Sequence, residues 1–178
     1  MLFCRDGIHA TGIDRILAEA QVSKMTLYSR FGSKAGLVRA VLREEGAEWR
    51  ANFFAGVTGA SMEAGSQLSG VVAALEPWFR GERFYGCAFM NAIAEHAKGE
   101  AWLRELAAEH HGQIRSFLAE RAAAAGFCEP ELVARQVMLV IDGAIAAFLI
   151  SGDPAVLDLT RRNLDSILAG AARVLHAG

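Results

Sequence analysis

The chain has 178 residues, 53% of them apolar, and a net charge of −2, enough for one generous core or for a small module joined to a larger one. With alanine and leucine dominant, only three prolines and few β-branched runs, the composition points to an all-α protein. No apolar stretch reaches the roughly 18 uninterrupted residues of a membrane span, and the N-terminal MLFCRDG lacks the charged and apolar regions of a secretory signal. The most apolar run, VMLVIDGAIAAFLI (137–150), carries Asp142 at its centre and reads as a buried core helix. Cys4, Cys87 and Cys128 are odd in number and widely spaced, as expected of small buried hydrophobes in a reducing cytoplasm. Charge is unevenly spread. Residues 1–43 hold seven Lys or Arg against three Asp or Glu, so the other 135 residues carry −6. A small module that meets an anion, followed by a larger body that does not, fits that imbalance.

In chain order, Met1-Leu2-Phe3 reads as the tail of a helix ended by Gly7. Thr11 is the expected N-cap of a second helix with Ile13, Ile16, Leu17 and Ala20 on its apolar side, and Asp14 lies in its first turn. After a turn at Ala20-Gln21-Val22, Ser23 caps a third helix to about Phe31, in which only Leu27 and Phe31 keep the spacing of a buried face. Gly32 closes it, Ser33 caps the next, and a long fourth helix runs from Lys34 to about Phe54. The Gly- and Ser-rich segment 56–66 reads as a loop and helix start. Leu68, Val71, Val72, Leu75, Trp78 and Phe79 mark an amphipathic helix to Arg80, and 81–86 reads as a loop. A mostly apolar helix spans 87–98, ending near Gly99. The next runs from Ala101 to Ala125 with the stripe Leu103, Leu106, His110, Ile114, Phe117 and Arg121. Pro130 begins a helix to Ile150; Asp153-Pro154 supplies the cap and first residue of a last one, ending near His176. No repeat is present and no strand is needed.

Two short helices joined by a tight turn, the second with a polar outer face, form a helix-turn-helix pattern. Leu27 and Phe31 anchor the second helix inward and leave Lys24, Met25, Thr26, Tyr28 and Ser29 outside. Lys24 is able to donate to guanine or phosphate, Met25 and Thr26 to touch a thymine methyl, and Tyr28 to reach a phosphate. Lys34 and the free amides at the start of the fourth helix make an anion site. The string TGIDRILAEAQVSKMTLYSRFGSKAGLVRAVL (11–42), above all TLYSRFGSK (26–34), resembles the DNA-binding domain of the TetR family of transcriptional repressors. The resemblance implies that Thr11, Lys24, Met25, Thr26, Tyr28, Ser29 and Lys34 meet double-stranded DNA at a palindromic operator. Ser23, at the head of the same helix, is grouped with them. Gln21 stands where the family usually has glycine; a positive φ there would cost about 1 kcal/mol. The family also carries more of the first helix than this chain, so either the true start lies upstream of Met1 or the module is less well braced.

Less sharply, EPWFRGERFYGCAFMNAIAEHA (76–97) and AAGFCEPELVARQVMLVIDGAIA (124–146) are similar to stretches in one branch of that family. The resemblance implies a helical body, residues 44–178, behind a DNA-binding domain, residues 1–43. That body would bind a small-molecule inducer of unknown identity and pair with a second subunit. Gly143, Ala144, Ala146 and Ala147 give the penultimate helix a smooth face for close helix approach. Leu157, Leu164, Ile167, Leu168, Ala171 and Leu175 give the last helix more apolar surface than a monomer of this size needs to bury, as in an isologous homodimer interface. A pocket would be walled by Trp78, Phe79, Phe84, Met90, Ile93, Phe117, Met138 and Phe148, with Asn91, Glu95, His110, Gln136 and Asp142 as polar groups set in apolar surroundings. Each polar group also has a plain structural reading, as a core hydrogen bond or a solvent-edge residue.

Two other classes fit less well. A helical metalloenzyme is prompted by Glu95-His96 and Glu109-His110-His111, but di-iron bundles need Glu-x-x-His, and adjacent residues point about 100° apart on a helix. HExxH, GxSxG, P-loop and GxGxxG elements are missing from the sequence, so no catalytic residue, metal or cofactor is expected. A thiol-based redox regulator would use Cys87 or Cys128, neither of which has an evident cationic pair or a resolving cysteine nearby. A ligand-responsive, cytoplasmic, homodimeric repressor without membrane attachment is the reading the sequence favours.

Overall fold

The computed structural model describes residues 2–61, 64–82, 84–95 and 100–174, with only the backbone of Cys4 and of 64–65. Met1, His96, Gly99, Leu175 and His176, which the sequence reading used, lie outside the described residues. The elements are α1 (Leu2–Asp6), α2 (Ile13–Ala20), α3 (Lys24–Phe31), α4 (Lys34–Gly59), α5 (Ala64–Gln67), a 3-10 turn (Leu68–Gly70), α6 (Val71–Phe79), α7 (Ala88–Glu95), α8 (Ala101–Ala124), α9 (Pro130–Ser151) and α10 (Ala155–Gly170). The all-α expectation holds, and no strand forms among the described residues; an isolated antiparallel bridge joins Phe127 to Arg173.

The differences from the sequence reading are local and physical. Helix α4 does not stop at Phe54 but continues to Gly59. Gly56 there is a contact residue rather than a breaker, because a Cβ on it would come within 2.9 Å of Ala74 Cβ on α6. The last helix ends at Gly170, well short of His176. Ala171 turns extended, Cys128 N–H donates to Ala172 O (2.9 Å), and Val174 N–H donates to Gly126 O (2.7 Å). Pro154 sits just before α10, while Asp153 Oδ1 accepts from Ala155 N–H at 2.8 Å and so does the capping. Thr11 is not the cap of α2. Gly12 holds that position, and Thr11 is fully buried with its hydroxyl donating to Gly7 O at 2.6 Å.

The described chain forms two compact units that do not follow chain order, in contrast to a single division after residue 43. The first comprises 1–48 and 85–110, the second 49–84 and 111–178. Helices α4 and α8 each give their first part to the former and their later part to the latter. Unit one centres on Ile8, Leu27, Leu37, Val38, Leu42, Phe89, Ala92, Leu103 and Leu106, all buried. In unit two α10 packs along α9 and reaches α6, over a core of Val57, Leu68, Val72, Leu75, Leu118, Val133, Val137, Ile141, Leu157 and Leu164. Among the described residues α9 is the one helix long and apolar enough to cross a membrane. Its apolarity has another use here: Val133, Ala134, Val137, Met138, Ile141, Ala144 and Ile145 are buried within the chain.

Candidate nucleic-acid interface

Helix α3 is built to be held from one side. Ser23 caps it, its hydroxyl oxygen accepting from Thr26 N–H at 3.1 Å and lying 2.8 Å from Thr26 Oγ1. Gln21 in the preceding turn adopts φ +53°, the left-handed conformation the glycine-less turn demanded, and its N–H bonds back to Leu17 O. Gly32 at φ +70° ends the helix, and Ser33 Oγ accepts from Gly36 N–H (3.0 Å) to start α4. Two turns of helix contribute one fully buried anchor, Leu27, and a half-buried one, Phe31.

Everything else on α3 faces outward. Lys24, Met25, Thr26, Tyr28 and Ser29 are exposed, Met25 by 81%, and Lys34 is half-buried one turn beyond. An 81%-exposed methionine gains nothing from the fold that presents it. Ser29 Oγ donates to Thr26 O (3.0 Å), which ties its hydroxyl to the helix. Ser23 is likewise occupied as a cap, and buried Thr11 offers no surface at all, so of the expected DNA-facing set Thr11 is corrected to a structural residue. Arg30 turns over the Phe31 ring at 5.8 Å.

The module is tied into unit one from behind. Glu95 on α7 accepts from His9 N–H at 2.9 Å, and its carboxylate lies 3.1 Å from where a Cβ on Gly7 (φ +87°) would stand. A side chain at position 7 would displace it. Asp6 receives Arg5 at 2.9 Å and Arg15 of α2 at 2.9 Å, and the Arg5 hydrogen bond, helped by Arg15, holds its carboxyl below the usual aspartate range. Arg39 of α4 lies over Trp102 of α8 at 4.8 Å.

The geometry is that of a helix-turn-helix with its second helix presented for a groove. The family description "Bacterial regulatory proteins, tetR family" matches residues 1–41. A TetR-family transcriptional regulator from Streptomyces coelicolor is 30% identical, with 94% of this chain and 88% of that one aligned at a TM-score of 0.85. This chain belongs to the TetR family. A TetR-family regulator from Cytophaga hutchinsonii shares the fold at 20% identity, covering 98% and 90% of the two chains with a TM-score of 0.83. So does a regulator from Saccharomonospora viridis solved in complex with choline, at 18% identity, 97% and 93% coverage and a TM-score of 0.76. None of the curated proteins matches the chain significantly. As a TetR-family member it is a DNA-binding transcriptional regulator.

The residues expected to line a ligand pocket divide between the two units. In unit two Trp78, Phe79, Phe84, Phe117 and Phe148 do come together, with three aromatics the sequence reading left out: Trp49, Phe53 and Phe54. Trp78 meets Trp49 edge-on (5.4 Å) and Phe84 likewise (5.0 Å); Phe79, Phe84 and Phe148 lie 4.9–5.2 Å apart; Phe54 stacks on Phe117 at 4.1 Å. The missed three fall in α4, where they look like an ordinary apolar stripe. Met138 is buried on α9, Gln136 is exposed, and Asp142 faces His111, Nδ1 to Oδ2 at 3.8 Å. In unit one Met90 is half-buried and Ile93 exposed. Asn91 donates to Tyr85 O (2.7 Å), Glu95 binds the His9 N–H, and buried His110 stacks on Phe89 at 4.1 Å. Asn91 and Glu95 thus each hold a backbone group of unit one. A small cavity lined by Phe3, Ile8, Val38, Leu42, Ala92 and Glu95 among others has about 10 Å³ of free volume, room for one water and not for an inducer.

The dimerisation set is corrected in a similar way. Leu157 and Leu164 are buried inside their own chain, spent on packing α10, and Ile167 and Leu168 are half-buried. Gly143 and Ala147 are exposed as expected. The large apolar side chains left uncovered are Leu132, Leu139 (73% exposed), Leu149 and Ile150 (87%) on α9 and Leu159 on α10. Leu139, Gly143, Ala146 and Ile150 recur at helical spacing on one face of α9. That spacing was visible in the sequence, masked by a helix apolar over most of its surface. For the rival readings, Cys87 is buried and Cys128 exposed. Among the described residues, no three His, Cys, Asp or Glu side chains gather as metal ligands.

Proposed function

We propose that this regulator is a homodimeric, ligand-responsive, cytoplasmic repressor that reads a palindromic operator through α3, with Lys24, Met25, Thr26 and Tyr28 at base edges and phosphates and Lys34 at a flanking phosphate. The observation that carries the reading is the one-sided anchoring of α3, buried at Leu27 and exposed at each of those four positions. One two-turn helix reads few base pairs, and a two-fold pair of them doubles the site. The uncovered stripe Leu139, Gly143, Ala146 and Ile150 supports pairing through α9, since a smooth apolar face of that kind is costly to leave in water. Ligand response rests on the aromatic cluster of unit two and on the choline-bound relative. An inducer needs only to prefer the subunit arrangement that does not fit DNA.

Selection of duplexes from a randomised pool tests the reading. The expected product is an inverted repeat, bound two subunits per duplex. Recovery of no enriched sequence, or of a site without two-fold symmetry, would overturn it.

A further inference from the structure

Near the end of α8 lies a guanidinium whose hydrogen bonds are incomplete among the described residues. Arg121 is half-buried between Leu118 and Ala122, both buried on the same helix. Its guanidinium stands over the Phe117 ring at 5.4 Å. One nitrogen, Nη1, reaches Gln67 Oε1 at a long 3.4 Å, and Nη2 lies 3.7 Å from Glu120 Oε2, a side chain 68% exposed. The buried Nε has no hydrogen-bond partner among the described residues. A buried N–H without an acceptor is costly, more so on a charged group.

Gln67 shows that the place is built. Only 7% of it is exposed, and its amide is fixed by donating to Ser61 O at 3.1 Å, which turns the carbonyl end toward Arg121. Beside these polar groups stand Phe54 and Phe117, stacked at 4.1 Å. A guanidinium offers parallel N–H groups matched to the two oxygens of a carboxylate, and the rings offer an apolar wall. We propose that Arg121 is the anion anchor of the ligand site in unit two, and that the site takes an apolar monocarboxylate, its carboxylate on the accessible part of the guanidinium and its hydrocarbon against Phe54 and Phe117. This deepens the ligand-responsive reading and rests on it.

Calorimetric titration of the full chain, without DNA, tests the anchor. The probes are octanoate and phenylacetate, each beside its neutral amide. At least one acid binds ten times more tightly than its amide, and which one does so distinguishes an alkyl from an aryl ligand. R121Q abolishes that preference. R121K, which keeps the charge but not the fork, loses three- to tenfold and decides the matter if R121Q lacks wild-type helical circular dichroism. Acids that bind no better than amides, or variants that keep the wild-type preference, overturn the proposal. Selected duplexes that bind normally while every acid fails remove this inference alone; failure to recover a duplex removes the DNA reading instead.

Discussion

Helices α3 and α9 both leave side chains in water, and the chemistry of what they leave differs completely. Helix α3 exposes Lys24, Thr26, Tyr28 and Ser29 around Met25, groups that trade hydrogen bonds with water for bonds to bases and phosphates. Helix α9 exposes Leu139, Leu149 and Ile150 beside Gly143 and Ala146, which trade nothing with water and gain only by being covered. On the proposed reading the first meets a polyanion reversibly and the second meets another apolar face. Exposure marks both as unfinished. The polarity says what finishes each.

The largest expected effect breaks the α9 side. L139E combined with I150E places two carboxylates per subunit in the proposed contact, at several kcal/mol each if they stay charged. The dimer dissociation constant should rise by roughly a thousandfold in analytical ultracentrifugation, with helical content unchanged because neither side chain is buried in the single chain. A persisting dimer would place the contact elsewhere. L164A sharpens the point from the other direction. Because Leu164 is spent inside its own chain, it should lower unfolding stability by about 2–5 kcal/mol.

The α3 side breaks more gently. Y28A or K34A should each weaken binding to a selected duplex by roughly ten- to a hundredfold, the 1–3 kcal/mol of a good contact, and leave the sedimentation of the dimer alone. For K34A the loss should be uniform across sequences and the salt slope should fall by about one. Unchanged gel-shift affinity in both variants would remove α3 as the DNA-facing element.

The same contrast explains what could be read beforehand. The α3 module was legible almost to the residue, since caps, turn and anchors are local: Ser23, Leu27, Gly32 and Ser33 act where their types predict, and even the strained Gln21 was foreseeable. Thr11 was misread because a hydroxyl before a helix signals a cap equally well when it bonds backward, as it does to Gly7. In the body, α9 is apolar over most of its surface and α10 sets exposed Leu159 beside buried Leu157 and Leu164, so periodicity could not say which apolar residues meet the chain's own core. Leu157 and Leu164 were therefore given to the partner and Leu139, Ile150 and Leu159 overlooked. Arg121 and Gln67 lie 54 residues apart, and nothing in the sequence marks them as a pair.

The smallest effect concerns two acids whose surroundings act in opposite senses. Asp142 sits on α9, where burial pushes its carboxyl above the ordinary aspartate range against the opposing pull of His111. The folded chain thus holds this proton to higher pH than the unfolded one, and the contribution of the group is fully present below the unfolded value and lost as pH rises through the folded one. D142N removes the cost of the buried charge, so its Tm should exceed that of the wild type at pH 7 and converge with it as pH falls toward the ordinary carboxylate range. Asp6, held low by Arg5 and then Arg15, stabilises above its unfolded value and loses this as pH falls, so D6N should lie below the wild type at pH 7 and converge in acid. The pair of curves is measured by thermal denaturation from pH 7 down to about pH 2, because the Asp6 contribution is lost only below the ordinary aspartate value. If D142N instead melts below the wild type at neutral pH, the attraction of His111 across 3.8 Å outweighs the burial of the acid, and Asp142 is a fastening between α8 and α9 rather than a charge that α9 carries at a cost.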